Sequence, residues 1–180
     1  MENQVVVHGK KFKKILDHAT IQSRIKYLAK ELAGNIESES PLFLIILNGA
    51  AFFGIDLLRH LDSKIEMDFI KLSSYDGMTS KGKHELKLGE SINLQNREVF
   101  IVEDILDTGH TMKKLIELIK RKGANSIKII TLLHKPEANV HKIIPDYNGF
   151  EVENLFVVGY GLDYDHRGRN LNDIYQLIEE

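Results

Sequence analysis

The sequence predicts an α/β fold built on a doubly wound, mainly parallel sheet. Three observations predict it. Continuous apolar runs at residues 42–47 and 99–102 read as strands covered on both faces, and 126–133, with Ile127, Ile129, Ile130, Leu132 and Leu133, reads as a further strand. Segments with apolar residues at helical spacing separate them. Two of the runs end in a short glycine-containing loop that opens the next helix, and open α/β sheets bind ligands at that end of their strands.

The elements follow in order. Val5, Val6 and Val7 form a short strand. Thr20 caps a helix from Ile21 to about Asn35, with Ile25, Leu28, Ala29, Leu32 and Ile36 on one face and Gly34-Asn35 at its end. After the run at 42–47, Asn48-Gly49-Ala50 leads into a helix carrying Phe52, Ile55, Leu58 and Leu61. Gly49 fits either a backbone cradle for an anion or a plain tight turn. Residues 65–75 read as a long strand, Ile65, Met67 and Phe69 alternating with Glu66 and Asp68. Residues 76–83, with two glycines and few apolar anchors, form a mobile loop, either a hairpin tip or a lid.

Gly123 ends the helix that carries Leu115, Leu118 and Ile119. The next strand ends in His134-Lys135, which places a lysine at the crevice or in a solvated loop. Asn148-Gly149 reads as a turn before a short strand at 150–152. An apolar segment containing Phe156 and Val157 follows, then Asp163, a basic turn at 166–170 and a last strand at 174–178. The terminal segments add a small cap over the ligand edge.

Composition sets the bounds. A chain of 180 residues with 43% hydrophobic content is long enough for one domain with a sizeable core. A net charge of -2 gives no basic footprint for nucleic acid or membrane. No apolar run spans a bilayer and no basic leader precedes an apolar block, so the cytoplasm is expected. With no cysteine there is no disulfide framework, thiol nucleophile or thiolate metal site.

The chemistry concentrates in residues 99–111. The apolar strand runs into Glu103-Asp104, then Ile105-Leu106, then Asp107-Thr108-Gly109-His110-Thr111 at a helix start. Backbone N–H groups, two hydroxyls and a helix N-terminus make an anion site, most simply one for phosphate. Glu103 and Asp104 repel a bare phosphate. They therefore face sugar hydroxyls or a divalent cation. The order matches neither the P-loop nor the dinucleotide fingerprint.

This stretch closely resembles the phosphoribosyl-pyrophosphate motif of the phosphoribosyltransferases: apolar residues, two acids, two apolar residues, then Asp-Thr/Ser-Gly-x-Thr. The resemblance covers almost the whole chain and is most similar to the hypoxanthine (hypoxanthine–guanine) branch. It implies a type I phosphoribosyltransferase fold with a hood from the N- and C-terminal segments and a flexible catalytic loop at about residues 74–86, opened by Ser74 and Tyr75. It further implies Mg²⁺-dependent transfer of 5-phosphoribose from its 1-pyrophosphate to N9 of hypoxanthine, and of guanine, with release of pyrophosphate. A xanthine-preferring or broad 6-oxopurine transferase is the nearest alternative. A nucleotide-sensing, RNA-binding regulator is more remote, and the charge balance counts against it.

The implied roles are as follows. Thr108, Gly109, His110 and Thr111 hold the 5′-phosphate, with Glu103, Asp104 and Asp107 completing the phosphoribosyl-pyrophosphate site. Asp107 takes the purine N7 proton, or caps the loop, or does both. Asn48, Gly49 and Arg169 meet the pyrophosphate. Lys135 reads the 6-oxo group, Phe156 stacks on the base, and Val157 meets its edge. Asp163 lies on the purine side, and with Glu103 and Asp104 it supplies metal ligands. Asn48 and His110 stand where many members carry basic residues. A homodimer or homotetramer is implied.

Overall fold

In the computed structural model, residues 3–62, 64–71 and 92–178 are described. The expected loop at 74–86, with Ser74 and Tyr75, lies outside them. Five parallel strands form the main sheet: β3 (Leu42–Leu47), β4 (Glu66–Lys71), β5 (Glu98–Leu106), β6 (Ser126–His134) and β7 (Tyr147–Glu151). Their spatial order is β4-β3-β5-β6-β7. The chain steps from β3 outward to β4, then returns past β3 to β5 and continues the other way. The winding thus reverses between β3 and β5, and the loops at their carboxyl ends flank a crevice.

Helices cover both faces. α1 (His18–Ala33) and α2 (Ala51–Leu58) pack with Phe43, Ile45, Phe100 and Val102 in one core. There the rings of Phe43 and Phe100 stack at 4.6 Å. α3 (His110–Arg121) covers the other face. Its Met112, Leu115 and Ile119 meet Leu44, Ile46, Val99 and Ile101. This two-sided burial is why these strands read as unbroken apolar runs.

A second, four-stranded antiparallel sheet forms the hood. It joins β1 (Gln4–Val7) and β2 (Lys10–Leu16) to β8 (Val157–Val158) and β9 (Ile174–Leu177), in the order β1-β2-β9-β8. The hood thus comes from both ends of the chain, as expected. Its own core is Val7, Phe12, Val158 and Tyr175. Strand β2 was not expected, because four lysines surround its single fully buried residue, Phe12.

Other local readings are corrected. The N-cap of α1 is Asp17, not Thr20: the Thr20 N–H donates to Asp17 Oδ1 at 2.7 Å, and this holds the Asp17 carboxyl below its usual range. The expected apolar face, Ile25 to Leu32, is buried. α2 is turned only partly from its expected face: Leu58 is buried and Leu61 packs against the core as expected, but Phe53, Gly54 and Leu57 are buried as well and Phe52 and Ile55 are exposed. Gly54 decides this, because a Cβ there would lie 2.7 Å from Ile45 Cδ1, so only this face brings the helix down on the sheet. On the edge strand β4, Met67 and Phe69 are exposed and Ile70 is buried. Asn148-Gly149 is no turn but part of β7. Asn148 pairs with Thr131, and Arg24 of α1 donates to the carbonyls of Asn148 and Gly149 at 2.6 and 2.8 Å. Those contacts engage the backbone an Asn-Gly turn would otherwise leave free.

Leu115 is fully buried beneath α3. Leu115→Ala is expected to cost about 2–5 kcal/mol, as buried leucine truncations do. Urea unfolding measures this, and an unchanged midpoint would show that α3 is not seated by this contact.

Candidate active site

Strand β5 delivers its acids at the crevice because its apolar run ends there. Glu103 and Asp104 are half-buried and adjacent. Poor solvation and the neighbouring Asp104 charge raise the proton affinity of Glu103 well above the carboxylate norm. Poor solvation also raises that of Asp104. The Ile105 N–H, at 2.8 Å from Oδ1, and the Arg169 charge oppose the rise. The pair thus sits where positive charge is favoured.

Five residues after Asp104, Gly109 takes a left-handed φ of +78° and caps the start of α3. Gly109 at the N-cap offers no side chain to this helix, its first turn has no acid, and the Thr108 hydroxyl accepts only a long 3.5 Å bond from the His110 N–H, so the positive end stays open to an anion. Here lies a pocket of about 280 Å³, lined by Glu103, Asp107, Thr108, Gly109 and Thr111 over Ile46 and Met112. Lys135 approaches from the end of β6. Its backbone N–H donates to Leu106 O at 2.9 Å. Its side chain is only 8% exposed and its Nζ stands 3.4 Å from Asp107 Oδ2. The lysine therefore belongs to the crevice, not to a solvated loop.

On the β3 side, the Leu47–Asn48 peptide bond is cis. Asn48 is exposed and Gly49 is buried. A Cβ on Gly49 would fall 1.5 Å from Asp104 Oδ2, and one on Gly161 2.0 Å from Gly49 O. Three segments, from β3, β5 and the hood, thus close together: the Gly49 backbone lies against the Asp104 carboxylate on one side and the Gly161 backbone on the other, and two glycines permit it. Arg169 ties the hood side together. Its Nη1 donates to Gly161 O at 2.7 Å and its Nη2 pairs with Asp163 Oδ1 at 2.7 Å. Asp163 also accepts the His166 N–H. Phe156 is 44% exposed, with its ring edge-on to Tyr164 at 5.5 Å. Val157 is buried and pairs with Gln176 in the hood.

The structure brings Glu103, Asp107, Thr108, Gly109 and Thr111 to one pocket, adds Lys135 at Asp107, and sets Arg169 and Gly49 beside Asp104. His110 lies at the pocket rim, hydrogen-bonded to His141. Asp163 stays apart, engaged by Arg169, and among the described residues no group of three metal-ligating side chains occurs. Sequence reasoning missed a clamp behind the hood segment. The Tyr160 hydroxyl donates to Asp56 Oδ2 at 2.5 Å, and Gln22 donates to Asp56 Oδ2 at 2.7 Å and to the Tyr160 oxygen at 3.1 Å. Burial and the Asp56 charge push the Tyr160 phenol far up, so it remains a donor. This clamp holds Gly161 against Gly49. The Gly159-Tyr160-Gly161 punctuation was its one sequence signal.

A family model described as a phosphoribosyl transferase domain matches residues 11–165. The chain belongs to the phosphoribosyltransferase family. Within it, the chain is 44% identical over 160 residues to the hypoxanthine-guanine phosphoribosyltransferase of Lactococcus lactis, covering 88% of this chain and 87% of that one. It is 42% identical to the protein of that name in Bacillus subtilis, covering 88% and 89%. Among solved structures, a hypoxanthine phosphoribosyltransferase of Staphylococcus aureus superposes with a TM-score of 0.84 at 36% identity, covering 92% and 91%. This phosphoribosyltransferase is thus an enzyme of the hypoxanthine–guanine branch, with the type I fold of the family.

The two glycine contacts differ in what can yield. Gly161→Ala meets a backbone oxygen at a φ of +102°, whereas Gly49→Ala meets a carboxylate that can swing away. Gly161→Ala is expected to lower the melting temperature more than Gly49→Ala. Equal losses by calorimetry would contradict the backbone contact.

Proposed function

We propose that the enzyme transfers the 5-phosphoribosyl group of phosphoribosyl pyrophosphate to N9 of hypoxanthine and guanine, giving IMP and GMP with pyrophosphate. The observation that carries this reading is the contact of a buried lysine with Asp107, at the head of the loop that leads into the open start of α3.

The 5′-phosphate rests on the N–H groups and hydroxyls of Thr108, Gly109, His110 and Thr111. Glu103 and Asp104 accept from the ribose hydroxyls. The purine lies against Phe156, with its edge at the Val157 backbone. Lys135 has donors only, so it suits a 6-oxo group and leaves a 6-amino group unpaired. As the C1–O bond breaks and N9 bonds to C1, the base sheds its N7 proton to Asp107. Negative charge builds on the departing pyrophosphate, where the Asn48-Gly49 backbone and Arg169 face it.

The acids fit magnesium. They are hard oxygen donors, two crowded at the crevice and one on the hood side, and magnesium takes one or two carboxylates and completes its shell with water and phosphate oxygens. Glu103 and Asp104 would hold one ion and Asp163 would help to hold another. Magnesium, when bound, supplies positive charge to the pyrophosphate oxygens.

We place the enzyme in the cytoplasm as a homodimer or homotetramer acting on small molecules, not on nucleic acid or membrane. Among the described residues no helix is long and apolar enough to cross a membrane. Met67 and Phe69 pair with Phe43 and Ile45 in the ladder, so they lie on the α2 face, and Phe52 and Ile55 of α2 are exposed as well. Apolar surface of this kind supports self-association.

Offering phosphoribosyl pyrophosphate and magnesium with hypoxanthine, guanine, xanthine and adenine in parallel tests the reading. IMP and GMP are expected without AMP, and Lys135→Ala should narrow the gap to adenine. AMP formed as fast as IMP by the unaltered enzyme would refute the role of Lys135. Separately, Asp107→Asn should lower kcat by roughly 10²–10⁴, the usual scale for lost acid–base catalysis. An unchanged kcat removes Asp107 from proton transfer.

A further inference from the structure

At the rim of the phosphate loop, Nδ1 of His110 stands 2.7 Å from Nε2 of His141. The rings are 4.4 Å apart between centroids and nearly perpendicular. His110 is the first residue of α3. His141 comes from the connection between β6 and β7, which folds over the loop. Asn139 fastens that connection: its Nδ2 donates to Ile143 O at 2.6 Å and its Oδ1 accepts the Ile143 N–H at 3.2 Å. A Cβ at Gly109 would reach Asn139 Oδ1 at 3.0 Å and His141 Cβ at 3.4 Å, so the connection rests directly on the loop.

Two ring nitrogens this close share one hydrogen. Two lone pairs would repel, and two N–H groups would collide. The intact pair is therefore either neutral, one ring donating and one accepting, or singly charged, an imidazolium donating to an imidazole. The second form is the stronger hydrogen bond.

We propose that His141 is a further residue of the phosphate site, and that the His110–His141 pair takes up one proton when a phosphate monoester binds at the start of α3. The inference rests on the reading of this loop as the 5′-phosphate site. A bound monoester brings about −1.5 to −2 charge next to His110. That charge favours the imidazolium form and leaves the shared hydrogen bond in place. Poor solvation of His141, with the charges of His110 and Lys113, lowers its proton affinity. The charged groups of α3 that face His141 are Lys113 and Glu117, which oppose each other in sign.

The sign of the linkage follows. Between the pKa of the free pair and the higher pKa of the bound pair, binding consumes a proton. Affinity for the phosphate then falls as pH rises, by up to about tenfold per pH unit. A fixed ammonium at residue 110 would give no such slope near neutrality. His141 acts through His110, so it is a positioning residue with a share in the charge.

Calorimetric titration of the full chain with IMP, in two buffers of different ionisation enthalpy at pH 7, reads the proton count directly. Net uptake approaching one proton is expected. His110→Lys, with a fixed charge, should abolish it. His141→Gln, which keeps a hydrogen bond but cannot share charge, should reduce it. In both variants the slope of the KM for phosphoribosyl pyrophosphate against pH, between about 6 and 8, should flatten, the effect falling on KM more than on kcat. Uptake near zero, or uptake and slope unchanged in both variants, overturns the proposal. Product formation is scored apart. Proton uptake on IMP binding without nucleotide synthesis upholds the pair and refutes the transferase reading. Turnover without uptake does the reverse.

Discussion

The site depends on one constraint: two adjacent carboxylates, Glu103 and Asp104, are held in a poorly solvated crevice where burial raises the proton affinity of both and the Asp104 charge raises that of Glu103 further. An isolated pair of this kind would stay partly protonated. Everything around it answers that charge. Arg169 approaches Asp104 from the hood, the backbone of Gly49 closes on the Asp104 carboxylate, and the positive end of α3 opens a few residues further along. A ligand that brings a cation and sugar hydroxyls completes the balance. A phosphate that avoids the acids and seats on the helix start fits beside it.

The fold makes this arrangement affordable in structural terms because the winding reverses between β3 and β5. Only at that point do two loops separate enough to leave a crevice. The hood then supplies what the main sheet lacks, namely Arg169, Asp163 and Phe156. The Tyr160–Asp56–Gln22 clamp fastens it to α1 and α2. Chemistry read at the end of β5 is thus positioned by contacts with both other layers of the molecule.

Much of this was legible in the sequence because it is local. The central strands announce themselves by continuous apolarity, and residues 99–111 carry acids, loop and helix start in one stretch. What was illegible is what depends on partners distant in the chain. β2 hides its one buried phenylalanine among lysines and forms only because β9 lies beside it. The face of α2 was partly misread because Gly54, poor in hydrophobicity, is the residue that touches the sheet. Asn148-Gly149 looked like a turn because Arg24 and β6, which hold it extended, are elsewhere in the sequence. In the site, Asp107 and the loop that opens α3 could be read directly. Tyr160 and His141 could not, since their partners Asp56 and His110 lie 104 and 31 residues away.

The most direct test of the account is a crystal structure of the enzyme with IMP and magnesium. The account places the phosphate oxygens within roughly 2.7–3.2 Å of the N–H groups of residues 108–111, with purine O6 at Lys135 Nζ, N7 at Asp107 and the ring against Phe156. A nucleotide whose phosphate sits away from the start of α3, or whose base turns from Lys135, would contradict it.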